Sequence, residues 1–183
     1  MSEPSLPEKV VAVHDACGGA ALGHAFGGAL ALAYYAEPRA TIDIDLNVFV
    51  AAERHAEVAD ALTPLGVEMT GDVAALVRDG QCRWRWGRTP LDLFFAYDPF
   101  HDAMRAGART VPFAQTTIPV LAPEHLTVCK AVFNRPKDWL DIEQIIIGAD
   151  ALDAAEVRDW MRRIVGADDE RAARLDGLLE ACR

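Results

Sequence analysis

FGGALALAYYAEPRATIDIDLNVFV, Phe26 to Val50, is the stretch on which the reading of the chain turns. In its second half apolar and polar residues alternate, with Ile42, Ile44, Leu46, Val48 and Val50 on one side and Asp43, Asp45 and Asn47 on the other. Period two marks a half-buried strand, here with two carboxylates on one face. Residues two apart on a strand are about 6.5–7 Å apart at Cα, so both carboxylates can converge on divalent cations. Ahead of the strand, Gly27-Gly28 opens an Ala/Leu-rich helical run that stops before Pro38. A glycine pair at a helix N-terminus lets backbone N–H groups approach a phosphate and aims the positive dipole end at it.

Working outward, Pro7 and the residues after it predict a first helix that ends at Gly18-Gly19, and Leu22 to Phe26 a first core strand. Downstream, Glu53 to Leu62 reads as an amphipathic helix, Val67 to Met69 and Ala74 to Arg78 as strand-like pieces, and Asp79-Gly80 as a hairpin signal. Gln81 to Trp86 alternates, and Leu91 to Ala96 is an apolar run broken by Asp92. A lone carboxylate there needs a partner or a metal, because burying it unpaired costs several kcal/mol. A polar stretch from Asp98 to Gly107 leads into extended pieces at Arg109–Phe113 and Thr117–Leu121. Helices follow at Glu124–Phe133, Lys137–Ile147, Ala154–Val165 and Asp169–Ala181. The expected class is α/β (α+β), with an α/β core over residues 1–121 and a helical portion, residues 122–183, packed on it.

The chain has 183 residues, 51% apolar and 25% charged, and a formal net charge of −10. That balance excludes broad non-specific nucleic-acid binding, which needs many cations on one face. Cys17, Cys82, Cys129 and Cys182 lack metal-ligand spacing and read as reduced thiols of a cytoplasmic protein. No signal peptide is evident. The uncharged run between Asp15 and Glu37 is mostly Ala and Gly and contains His24, too weakly apolar for a membrane span. The five histidines form no metal-like set.

Gly27-Gly28, a helical spacer and Asp43-Ile44-Asp45-Leu46 resemble the signature of the nucleotidyltransferase superfamily to which DNA polymerase β belongs, with a spacer slightly longer than its commonest form. The segment Val120 to Ile142 narrows the resemblance: a Pro-Glu-x-Leu helix carrying Lys130, then Arg135-Pro136-Lys137-Asp138 and Asp141, is similar to the AbiEii/AbiGii-type nucleotidyltransferase toxins, the MenT toxins among them. Arg39-Ala40-Thr41 resembles their lead-in to the aspartates. The similarity runs from about Ala25 to Ile147, and Ala51 to Gln81 carries no recognised motif.

The resemblance implies an Mg²⁺- or Mn²⁺-dependent transfer of a nucleotide from an NTP to an acceptor hydroxyl. Asp43 and Asp45 would hold the metals, and Asp92 would complete the site as a ligand or base. Gly27, Gly28 and Thr41 would cradle phosphates, with Lys130 and Arg39 assisting. One aspartate after Arg135 would be needed for activity, Asp138 ahead of Asp141. Lys130 otherwise reads as a lysine snorkelling from a helix edge, and Arg135, Lys137, Asp138 and Asp141 as a surface charge network at a helix start. Arg83-Trp84-Arg85-Trp86-Gly87-Arg88 has two readings. Arg83, Arg85 and Arg88 with the tryptophans hold a single-stranded acceptor end, or the tryptophans of an edge strand face the core. The implied acceptor is a tRNA 3′ end and the implied partner a cognate antitoxin. A small hydroxylated acceptor such as an aminoglycoside suits the acidic charge better, and a catalytically silent binding module is the reading outside enzymes.

Overall fold

Glu8 accepts the Ser5 N–H at 2.7 Å and Pro7 occupies the first turn, starting helix α1 (Leu6–Gly19) in the computed structural model, which describes residues 3–181. Strand β1 (His24–Phe26) leads into the short helix α2 (Gly28–Leu32), and β2 (Ile44–Val48) follows. Next come α3 (His55–Leu62), α4 (Val73–Asp79), the hairpin of β3 (Gln81–Trp86) and β4 (Thr89–Phe95), α5 (Pro99–Gly107), and the hairpin of β5 (Arg109–Phe113) and β6 (Thr116–Val120).

The six strands form one mixed sheet in the order β3-β4-β2-β1-β6-β5. β2 pairs antiparallel with β1 and parallel with β4, so the aspartate strand is central. Ile44, Leu46 and Val48 are buried as the alternation predicts. Asn47 departs from it, being buried as well, with its amide 3.4 Å from the Ala25 carbonyl that accepts from it. Ile42 precedes the strand and is exposed, so the core face begins at Ile44. Contacts divide the chain into two units. The first comprises residues up to Leu30 with Ala40–Leu121 and carries the sheet, where α1 packs on α3 and β6.

The second unit comprises Ala31–Arg39 and the residues from Ala122 onward. Its helices are α6 (Pro123–Phe133), α7 (Pro136–Gly148), α8 (Ala154–Val165) and α9 (Glu170–Ala181). α6 is buried along most of its length and packs against the other three. Among the described residues no helix is long and apolar enough to cross a membrane.

Three local expectations are corrected and one unassigned stretch gains an element. Ala74 to Arg78 is not a strand but the body of α4, because Asp72 caps it by accepting the Ala74 N–H at 3.0 Å. Gly80, at φ +65°, ends that helix, and its N–H donates to the Leu76 carbonyl; Asp79-Gly80 is thus a helix stop, and the hairpin turns at Gly87. Val67 to Met69 contributes only a single bridge, Glu68 to Arg85. The polar stretch after Asp98 is α5, started by Asp98 capping Phe100 and His101.

His14 on α1 and His24 on β1 meet ring to ring, Nδ1 to Nε2, at 2.9 Å, and His24 Nδ1 lies 2.9 Å from the Leu22 carbonyl. Burial first, and the neighbouring His14 second, hold the His24 pKa below the ordinary histidine value against the pull of that carbonyl. A histidine kept neutral when folded stabilises fully above the unfolded pKa of about 6.5 and loses that contribution as pH falls through the window below it. Thermal melts from pH 7.5 to 5 should therefore show falling stability, with a shallower fall in His24→Gln. His125, also lowered chiefly by burial, accounts for part of the remainder.

Candidate active site

Gly27 donates its N–H to the Asp45 carbonyl at 2.9 Å, joining the glycine turn to β2. Gly28 has φ +54°, and a Cβ built there would overlap the Asp45 carboxylate. A Cβ on Gly27 would come within 3.0 Å of the Asn47 amide. The pair is therefore required by close approach to the aspartate strand, and at Gly28 also by backbone conformation.

The register of the sheet assembles the rest. Asp45 on β2 pairs with Asp92 on β4, and Asp92 pairs with Arg83 on β3. Laterally paired residues point to the same side of a sheet at a strand spacing of about 4.8 Å. Asp43 lies just ahead of β2, its N–H donated to Thr41 Oγ1 at 3.1 Å. Arg83 makes a two-pronged pair with Asp92, Nε to Oδ1 at 2.6 Å and Nη2 to Oδ2 at 2.7 Å. This is the partner that Asp92 required in its apolar strand. Asp92, through hydrogen bonds and charge, and then Asp43 and Asp45 push the guanidinium pKa further above its ordinary range.

Three carboxylates offer the hard oxygen donors that Mg²⁺ and Mn²⁺ prefer, and the bare Cα of Gly28 lets the Asp45 carboxylate lie against the glycine turn. Among the described residues no three His, Cys, Asp or Glu side chains form a ready-made metal cage. Mg²⁺ does not require one, since it commonly takes one or two carboxylates with waters and substrate phosphates. The donor set fits the ion, and the cation already seated against Asp92 is a guanidinium.

In the helical unit, Lys130 is buried rather than snorkelling, with Nζ 2.7 Å from Asp141 Oδ2 and 4.0 Å from Asp138 Oδ1. Arg39 also reaches Asp141 Oδ2, at 3.1 Å. Arg135 holds Asp138 through Nε at 2.6 Å, Nη2 at 3.0 Å and its own backbone N–H at 3.1 Å. The surface-network reading fails for the two acids, since Asp138 is fully buried and Asp141 nearly so, while Lys137 is exposed. Sequence could place Asp138 and Asp141 on one helix, but not assign Arg135 to the first and Lys130 with Arg39 to the second.

β3 is an edge strand, and Trp84 is buried, as its core-facing reading requires, so it offers no stacking face as it stands. Trp86 lies under the Lys9 ammonium, 5.4 Å from the ring centroid. Arg85 is exposed, and Arg88 is exposed beside Glu3 at 3.4 Å. Cys17, Cys82 and Cys129 are free thiols; burial pushes Cys17 up to about 12, and burial with the Asp92 charge does the same to Cys82. Cys182 lies outside the described residues.

Residues 16–181 match the model of a family described as nucleotidyl transferase AbiEii toxin, Type IV TA system. The chain belongs to the AbiEii nucleotidyltransferase toxin family. It is a nucleotidyltransferase. A search of curated proteins finds no match. Among solved structures the fold is similar to that of the antibiotic-resistance factor ANT(2'')-Ia in solution, with TM-score 0.65 and 17% identity over 98% of this chain and 100% of that one. The same factor in a crystal with adenylyl-2''-tobramycin gives 0.56 and 16%, over 97% and 96%. The lincosamide antibiotic adenylyltransferase LnuA, lincomycin-bound, gives 0.55 and 10%, over 79% and 98%. An antigenic nucleotidyltransferase-like protein from Paracoccidioides brasiliensis gives 0.57 and 17%, over 94% and 92%.

Within this AbiEii chain the glycine turn is open to a direct test. Gly28→Ala adds a Cβ at positive φ against Asp45 and should destabilise by about 1–3 kcal/mol in urea unfolding. Gly18→Ala, with open space and a helical backbone, should be neutral or stabilising by up to about 1 kcal/mol. Lys130→Ala leaves the buried acids under-compensated and should cost about 3 kcal/mol, less whatever Arg39 recovers.

Proposed function

We propose that the chain transfers a nucleoside monophosphate from an NTP to an acceptor hydroxyl with the help of Mg²⁺, and that in its role as the toxin of a toxin–antitoxin pair the acceptor is a tRNA 3′ end. The observation that carries the site assignment is the in-register Asp45–Asp92 pair beside the bare backbone of Gly28. Asp43, Asp45 and Asp92 would hold the divalent cation, which when bound supplies positive charge to the triphosphate and to the acceptor oxygen. Asp92 takes the proton of the acceptor hydroxyl once its own oxygens are free. The acceptor oxygen then forms its bond to the α-phosphorus in line, the α–β bridging bond breaks, and pyrophosphate leaves. We assign Gly27, Gly28 and Thr41 to the approach of the phosphates. Within the helical unit Lys130 and Arg39 are gathered on Asp141, and Asp138 is held at the N-terminus of α7 by Arg135.

Arg85 and Arg88 are the exposed cations for an acceptor strand, while Arg83 is engaged by Asp92. A small cationic acceptor is the second reading, favoured by the net charge of −10 and by the structural likeness to a protein seen with adenylyl-2''-tobramycin. Incubation with each of the four α-labelled NTPs, Mg²⁺, and either total tRNA or tobramycin separates the two readings. Label should move to tRNA, and Asp45→Asn should cut the transfer by about a hundredfold or more. Label on tobramycin alone would select the small-molecule reading, and no transfer to either would reject both acceptors.

A further inference from the structure

Arg83 lies where three aspartates concentrate negative charge, and its side chain is the movable part of that arrangement. Its backbone is pinned, because the Arg83 carbonyl accepts the Thr70 hydroxyl hydrogen bond at 2.6 Å and the strand pairs with β4. Its side chain is 55% exposed, whereas that of Asp92 is 18% exposed. Both Asp92 oxygens are taken by the two prongs of the guanidinium, at 2.6 and 2.7 Å. The two prongs occupy the syn lone pairs of both oxygens, so a divalent cation at Asp92 is left with the remaining lone pairs beside a second positive charge, and the two cations compete for the carboxylate.

We infer that Arg83 is a built-in counter-ion that competes with the divalent cation for Asp92, and that a nucleotide triphosphate, by taking the guanidinium as its own partner, couples metal entry to nucleotide binding. The inference rests on the assignment of Asp43, Asp45 and Asp92 to the metal. Without nucleotide the pair with Arg83 spares the carboxylates their mutual repulsion. With nucleotide the phosphate oxygens offer the guanidinium an equivalent two-pronged partner, and Asp92 is released to the metal and the acceptor. The same swap keeps the proposed base blocked until the donor substrate has arrived.

The test uses Mn²⁺ as probe, its free concentration read by electron paramagnetic resonance, with and without a non-hydrolysable NTP analogue whose own Mn²⁺ binding is measured without protein and subtracted. Wild type should bind Mn²⁺ weakly alone and about tenfold or more tightly with the analogue, the order expected when a two-pronged charge-assisted competitor is removed. Arg83→Gln should bind Mn²⁺ about tenfold more tightly without nucleotide and lose most of the coupling. Arg83→Lys, which keeps the charge but not the fork, should fall between them. Arg85→Gln removes the same charge two residues along the strand and, screened by solvent and salt, should change the affinity by about twofold at most. Equal effects of Arg83→Gln and Arg85→Gln, or an Arg83→Gln affinity at or below wild type in a variant that melts normally, would overturn the inference. Asp45→Asn separates it from its foundation: Mn²⁺ binding unchanged in that variant rejects the metal-site assignment itself.

Discussion

The backbone at Gly28 passes so close to the Asp45 carboxylate that no side chain fits between them, and the neighbouring Gly27 N–H is donated to the Asp45 carbonyl. This contact ties the end of β1 and the start of α2 to the middle of β2, so the turn and the aspartate strand cannot move independently. Because β2 is central in the sheet, paired on one side with β1 and on the other with β4, its register with β4 sets Asp92 across from Asp45. The candidate site is thus a by-product of sheet register, with one glycine supplying the clearance.

Charge neutralisation is the second constraint, and the fold meets it locally in each unit. In the sheet unit Arg83 answers Asp92, and buried Lys9 is satisfied by Glu3, the Trp86 carbonyl and the Thr89 hydroxyl at 2.6, 2.8 and 2.9 Å. The latter cluster pins α1 to the β3–β4 turn, and Lys9 with the Arg88 N–H brings the Glu3 carboxyl down to about 2. In the helical unit, Lys130 and Arg39 share Asp141 while Arg135 closes on Asp138. A buried charge with its partner removed is expensive, whereas the intact pair is nearly neutral for stability. These pairs therefore say more about where charges must stand than about how stable the protein is.

The net charge of −10 shapes the question of the acceptor. A polyanion approaching an acidic protein needs a local patch of cations, and of the three arginines around β3 one is bound to Asp92. Arg85 and Arg88 remain exposed. The exchange proposed for Arg83 hands its guanidinium to the triphosphate, so the acceptor patch on this strand rests on Arg85 and Arg88.

Sequence by itself determined the aspartate strand, the glycine turn, the β3–β4 strands and the four C-terminal helices, because each is written in short-range periodicity and in Gly or Pro punctuation. The Ala74 to Arg78 misreading came from the same range: a short apolar run is ambiguous between strand and helix, and the Asp72 cap and the Gly80 stop decide it. Sequence also placed Asp92 as a carboxylate in need of a partner. Only the tertiary structure decided which partner, since Arg83 meets it through the register of two strands, and only burial turned Asp138 and Asp141 from a surface network into fixed counter-ions of Arg135, Lys130 and Arg39. Periodicity shows which face a residue takes, but which charge lies across from it depends on register and packing, which are set by contacts distant in the chain.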